Sequence, residues 1–150
     1  MLPLKIQVHQ TCLKRLKHRM ESLEIELLNL KESAAADTKS SMGDKYETGR
    51  EMINIEKGKI SSQLNQVKLM METMTSIEVE KGFNKCELGA LVKTNLGCYF
   101  LSVAFGAVEI EGQNVFAISP GSPIGQSMLG KGTGDHFNLV GKTHEILEIA

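Results

Sequence analysis

The chain has 150 residues, and its 17 Lys and Arg against 18 Asp and Glu give a formal net charge of −1 at pH 7. This length allows one ordinary domain or two small ones, and the balanced charge argues against a strongly basic nucleic-acid-binding protein. No apolar run approaches the roughly 18 residues that span a bilayer, so we expect no membrane contact. The cysteines Cys12, Cys86 and Cys98 form no CxxC pair. They favour a reducing cytoplasmic location over a disulfide framework or a zinc site.

Composition divides the chain near residue 80. Residues 1–80 carry 24 of the 35 charged residues but only three of the 14 glycines, whereas residues 81–150 carry 11 glycines and six of the seven aromatic residues. High charge with few glycines favours exposed helices, and frequent glycine between short apolar runs favours strands and turns. We therefore predict a helical domain at 1–78 and a strand-rich domain at 79–150.

Two apolar stripes predict that the first domain is an antiparallel helical hairpin. Apolar residues alternate at spacings of three and four over 13–30 and again over 53–74, where Lys57 is a polar interruption. This spacing places them on one side of each helix, as in a coiled coil. If Leu16 pairs with Val67, the chain folds back near residue 41 or 42.

The same stripes could instead pair between two chains. A coiled-coil dimer or adaptor is therefore an open alternative to the hairpin.

The second domain is predicted to be α+β, with an antiparallel sheet. Ser122 and Pro123 fit the N-cap and first position of a short helix that ends near Leu129, and Gly130 fits its stop. This helix would cover one face of the sheet. The predicted strands are Gly89–Thr94, Cys98–Val103, Ala107–Glu111, Asn114–Ile118, Asp135–Leu139 and Thr143–Ile149.

Two acidic residues lie at the predicted start of the second helix. Asp44 and Glu47 have the spacing of a capping box, in which they would satisfy free backbone N–H groups. Two carboxylates displayed at an acidic tip, near 37–47, could also complete a Mg²⁺ site that another molecule supplies. The two roles are compatible, because a capping carboxylate can keep one oxygen free.

Other candidate sites have weaker patterns. The Gly-rich segment 130–135 lacks the strand–loop–helix context of a phosphate-binding loop, so we interpret it as a turn. His9, His18, His136 and His144 show no metal-ligand spacing. We interpret them as surface or core histidines.

Segments from both domains resemble the Gre family of bacterial transcription elongation factors. Residues 118–135, followed by 144–149, resemble the family's C-terminal signature: Ser-Pro-(Ile/Leu), a short helix, Gly-Lys, a Gly-Asp turn and a closing strand. Residues 43–47, Gly-Asp-Lys-Tyr-Glu, are similar to the tip motif Gly-Asp-x-x-Glu.

The resemblance implies an FKBP-like second domain that docks on RNA polymerase at its secondary channel. Ser122, Pro123 and Ile124 would lie in the docking segment. The hairpin would bring Asp44 to a Mg²⁺ shared with polymerase and Glu47 to the attacking water, so that polymerase cleaves its own backtracked transcript. The factor would have no cofactor of its own and would not be a nuclease alone.

The resemblance further implies a cytoplasmic monomer that meets the RNA 3′ end and the DNA of the transcription complex only indirectly. Some relatives occupy the channel without stimulating cleavage, and this remains the alternative within the family. An FKBP-like fold by itself does not imply prolyl isomerase activity.

Overall fold

The computed structural model describes the backbone of residues 1–39 and 43–150 and the side chains of residues 1–35 and 47–150. Helix α1 spans Leu2–Lys39 and helix α2 spans Gly43–Ser76. The predicted fold-back at residue 41 or 42 lies outside the described residues. Among the described residues, no helix has an apolar stretch long enough to cross a bilayer.

The chain after α2 forms strands and one short helix. The predicted α+β fold class is confirmed, and the observed strand ends lie within two residues of the predicted ones. The elements are β1 (Leu91–Thr94), β2 (Gly97–Leu101), β3 (Gly106–Ile110), β4 (Gln113–Ile118), α3 (Pro123–Met128), β5 (His136–Leu139) and β6 (Lys142–Ile149).

The described residues divide into two compact units. One unit contains Met1–Lys14 and Glu72–Ala150, so the first turns of α1 and the last turn of α2 group with the strands. The other unit is Arg15–Met71, which is the remainder of the helical hairpin.

The hairpin unit is stabilised by the predicted apolar seam. Ile25 and Leu69, which lie off the stripes, are 60% and 62% exposed. Since this unit consists of α1 and α2 residues, the stripes bury each other, which confirms the predicted hairpin. The seam side chains that are at most 7% exposed are Leu16, Leu23, Ile60, Leu64 and Val67.

A hydrogen bond in the strand-bearing unit supports the antiparallel register of the helices. His9 Nε2 lies 2.8 Å from the carbonyl oxygen of Met74, so the imidazole donates from Nε2 to that oxygen. Residues 9 and 74 each lie one heptad beyond the predicted pair Leu16 and Val67. The ring of His9 also contacts Phe100 of β2 edge-on, with centroids 6.4 Å apart.

The described strands form one six-stranded sheet in the order β3-β4-β2-β1-β6-β5. The sequence predicts an antiparallel sheet, but β2 and β4 are parallel. The chain reverses direction from β2 to β3 and again in the β3–β4 hairpin, and it is β4 that pairs with β2. Two reversals make these two neighbours parallel.

Each face of the sheet is buried in part. Phe100 and His9 mark the face on which the start of α1 packs. On the opposite face, Met128 of α3 belongs to the apolar core, which is formed by Cys86, Ala90, Val92, Leu101, Met128, Phe137 and Ile146.

Lys5 is a buried lysine that no pattern in the sequence indicates. Its side chain is fully buried, its Nζ donates to the carbonyl oxygen of Lys81 at 2.8 Å, and it lies 4.4 Å from the ring centroid of Phe83. Burial, followed by the nearby positive charge of Lys81, lowers the pKa of Lys5 to about 8. The residue therefore ties the start of α1 to the segment that follows α2.

The lowered pKa of Lys5 should make the free energy of unfolding depend on pH. Unfolded Lys5 keeps its proton up to about pH 10.5, whereas folded Lys5 releases it near pH 8. The free energy of unfolding should therefore rise between pH 8 and 10.5 through this group. Urea unfolding at pH 7, 8.5 and 10 should show a steeper rise in the wild type than in Lys5→Met.

The exposed Lys14 of the same helix provides the control. Lys14→Met should keep the wild-type dependence on pH. If the free energy of unfolding changed with pH equally in wild type and in Lys5→Met, the lowered pKa of Lys5 would be contradicted.

Candidate functional site

The first turn of α2 carries the predicted acidic pair. The capping-box interpretation predicts Asp44 at the N-cap. The helix begins at Gly43, so Asp44 lies inside the first turn instead. Its side chain lies outside the described residues. An acidic residue in this turn remains favourable, because the helix N-terminus has a partial positive charge.

Glu47 lies on the described part of the same turn. Its side chain is exposed, and none of the described hydrogen bonds or ion pairs involves it. Of the two predicted acids, the structure therefore describes one exposed carboxylate, that of Glu47, near the start of α2.

The predicted docking segment forms the start of α3. The hydroxyl of Ser122 donates to the Ser119 carbonyl at 2.7 Å and accepts from the Gly125 N–H at 3.1 Å, so Ser122 is the predicted N-cap. A Cβ on Gly125 would collide with the Ser119 carbonyl oxygen, which explains why glycine occupies this position. The segment before α3 is thus fixed by its own hydrogen bonds.

The predicted docking residues differ in exposure. Pro123 is exposed, Ser122 is half-buried, and Ile124 is half-buried against the apolar core. The outer side of α3 carries Pro123 and Gln126, and it continues to the C-cap residue Leu129, which is 49% exposed. The three-residue spacing of these positions in the sequence indicates one common surface.

The Gly-rich segment 130–135 is a turn, as predicted. The carboxylate of Asp135 accepts from the Gly132 N–H at 2.8 Å. The backbone of this turn is hydrogen-bonded to Cys86, whose N–H donates to the Lys131 carbonyl at 2.8 Å. Burial, together with the nearby Asp135 charge, raises the pKa of Cys86 to about 11. A buried thiol of this kind is a poor nucleophile.

The histidines follow the surface-or-core interpretation. His9 and His144 are buried and His18 and His136 are exposed. In the described part of the chain, no group of three or more His, Cys, Asp or Glu side chains is placed to hold a metal ion.

Comparisons with known proteins find structural similarity of low score. No family model matches the sequence, and no curated protein matches it. The chain is similar to a solved structure of the transcription factor Gfh1, with 19% sequence identity and a TM-score of 0.38. The match covers 91% of this chain and 92% of that chain.

The Ser122 cap can be tested by its effect on stability. Ser122→Ala removes the acceptor for the Gly125 N–H and should lower the free energy of unfolding by about 1 kcal/mol. Ser127 is a matched control in the same helix, because its exposed hydroxyl bonds only to the Pro123 carbonyl. Ser127→Ala should stay within about 0.5 kcal/mol of wild type in urea unfolding. Equal losses in both variants would contradict a capping role specific to Ser122.

Proposed function

We propose that this protein is a transcription elongation factor that binds RNA polymerase at its secondary channel and stimulates cleavage of the backtracked transcript. The observation that carries the proposal is the exposed Glu47 in the first turn of α2, within a Gly-Asp-x-x-Glu motif and in a chain that also has the Gre-like C-terminal signature. The protein would act as a cytoplasmic monomer and would meet the RNA 3′ end and the DNA only inside the complex.

The chemistry assigned to Glu47 is that of a general base. Hydrolysis of a phosphodiester needs a water molecule that is oriented toward phosphorus and loses a proton. An exposed carboxylate at a helix end can accept a hydrogen bond from that water and then its proton. A positioned general base contributes about 10²–10⁴-fold to a rate. Glu47 would therefore act only when the polymerase supplies the substrate and the rest of the active site.

Asp44 is assigned to a Mg²⁺ ion shared with polymerase. Carboxylate oxygens suit this ion, and one or two acids from this chain leave the remaining ligands to the polymerase. When bound, such an ion would stabilise charge at the scissile phosphate and lower the pKa of its water. The factor alone would then bind Mg²⁺ weakly and would not be a nuclease.

The start of α3 is assigned to polymerase docking. Pro123 and Leu129 offer exposed apolar contacts on the outer side of this helix. Ser122 and Ile124 would support the contact, since the first fixes the helix start and the second holds it to the core.

Transcript cleavage in backtracked polymerase complexes tests the catalytic assignment. Glu47→Gln keeps the shape of the side chain but removes its basicity, so stimulated cleavage should fall by about 10²-fold or more while polymerase binding is retained. Asp44→Asn should raise the Mg²⁺ concentration that cleavage requires. Glu51 is exposed one turn later in the same helix, and Glu51→Gln should cleave like wild type.

Wild-type factor that leaves cleavage at the level of polymerase alone would refute cleavage stimulation. If that wild-type factor still bound polymerase at the secondary channel, a channel-occupying regulator would replace cleavage stimulation as the proposed function. A concentration-independent dimer in light scattering, with no polymerase binding, would favour the unrelated coiled-coil protein.

Docking through α3 can be tested separately. Leu129→Gln removes an exposed apolar contact and should weaken polymerase binding by about 10-fold, a loss of about 1.4 kcal/mol, without changing the midpoint of urea unfolding. Leu69 on α2 is also an exposed leucine, at 62%, so Leu69→Gln is the control and should bind like wild type. Unchanged binding of Leu129→Gln would exclude this contact.

A further inference from the structure

The buried seam positions of the hairpin unit lie away from the connection between α1 and α2. Leu16, Leu23, Ile60, Leu64 and Val67 are buried. Nearer the connection, the seam positions are only half-buried, which applies to Leu27, Leu30, Ile53 and Lys57. Since long helices in proteins depend mainly on packing of an apolar face for their stability, the end of α2 nearer the connection has less tertiary support than the rest.

The seam of α2 in this region is also poorly filled. Lys57 places a half-buried charged side chain where the heptad pattern requires an apolar one. The stripe position before Ile53, three residues earlier, is Arg50, which is charged and exposed. Between residues 49 and 58, Ile53 is therefore the apolar side chain that the stripe provides.

Two glycines in this segment lack a structural reason. A Cβ added at Gly49 or Gly58 would meet nothing within 4 Å, and neither residue has a positive φ. Neither close packing nor backbone conformation requires glycine there. In a helix interior, glycine is substantially less favourable than alanine, because it loses more backbone freedom on folding.

We propose that residues 49–58 of α2 form a compliant segment that lets the first turn of the helix, with Glu47, readjust against a bound partner. A weak seam and two unneeded glycines act in the same direction. Both lower the free-energy difference between the intact helix and locally opened or bent forms, which is how local opening arises in native proteins. Gly49 and Gly58 are thus positioning residues for Glu47.

The consequence for cleavage depends on the proposed function, whereas the compliance of the segment does not. A general base must be held to within about an ångström of its productive position beside the attacking water. A helix end that adjusts can reach that position in complexes whose backtracked RNA is held differently, and a stiff one reaches it in fewer.

Amide hydrogen exchange of the full chain, read by mass spectrometry, tests the compliance directly. In the wild type, amides of residues 49–58 should exchange at least 10-fold faster than those of residues 60–67. Replacing one glycine by alanine should slow exchange in 49–58 by about 5-fold, the equivalent of the roughly 1 kcal/mol difference in helix propensity, and the double variant should slow it further. Equal protection of the two segments, or no slowing in the double variant, would overturn the proposal.

A matched control separates local compliance from a general gain in helix propensity. Ser62 is exposed in the well-packed part of α2. Ser62→Ala should leave exchange in residues 49–58 unchanged. If it slowed exchange there as much as the glycine variants do, the segment would not be a separate compliant unit and the proposal would fail.

The cleavage assay tests the positioning role. The Gly49→Ala, Gly58→Ala variant should be more stable than wild type but should stimulate cleavage several-fold less on complexes of differing backtrack length, with polymerase binding retained. A merely structural role predicts cleavage at least equal to wild type, and that result would overturn the positioning role. If wild type itself stimulates no cleavage, the proposed function fails, and the exchange data alone decide whether the segment is compliant.

Discussion

The structure depends on the mutual burial of two narrow apolar stripes. Neither α1 nor α2 has another partner within the hairpin unit, so Leu16 and Leu23 on one helix and Ile60, Leu64 and Val67 on the other exclude water from each other. An isolated helix of this composition would be marginal in water. The pairing therefore holds both helices together and brings the start of α2, with Glu47, back toward the end of α1.

The thin seam also limits the stability of the hairpin. Burial of apolar area is the main source of stability, and the seam loses buried area toward the connection between the helices. Lys57 and Arg50 occupy positions where the heptad pattern requires apolar side chains. The stability of the hairpin is thus concentrated near the middle of the helices, and residues 49–58 of α2 contribute less buried apolar area.

The strand-bearing unit uses a different set of constraints. Its sheet is partly covered by the start of α1 on one face and by α3 on the other. Two of the contacts that attach α1 are polar, since Lys5 donates to the Lys81 carbonyl and His9 to the Met74 carbonyl. These bonds satisfy carbonyl groups at and beyond the end of α2. They fix where the chain leaves the helix before it enters the sheet.

The sequence determined the elements that have a local or periodic cause. The heptad spacing predicted the hairpin and its register, and Gly-containing turns between short apolar runs predicted the strand ends. Ser122, Pro123 and Gly130 predicted α3 through its cap, first position and stop. These features follow from interactions within a few residues or from a repeat, which can be recognised in a chain without knowledge of its fold.

Only the tertiary structure decided which distant groups meet. It made β4 and not β3 the neighbour of β2, because strand order depends on packing between elements and not on the pattern within each strand. It buried Lys5 beside Phe83 and the Lys81 carbonyl, a pairing across 76 residues that no local spacing encodes. It also turned Ile124 toward the core and left Leu129 exposed, because the orientation of a short helix is set by the sheet on which it packs.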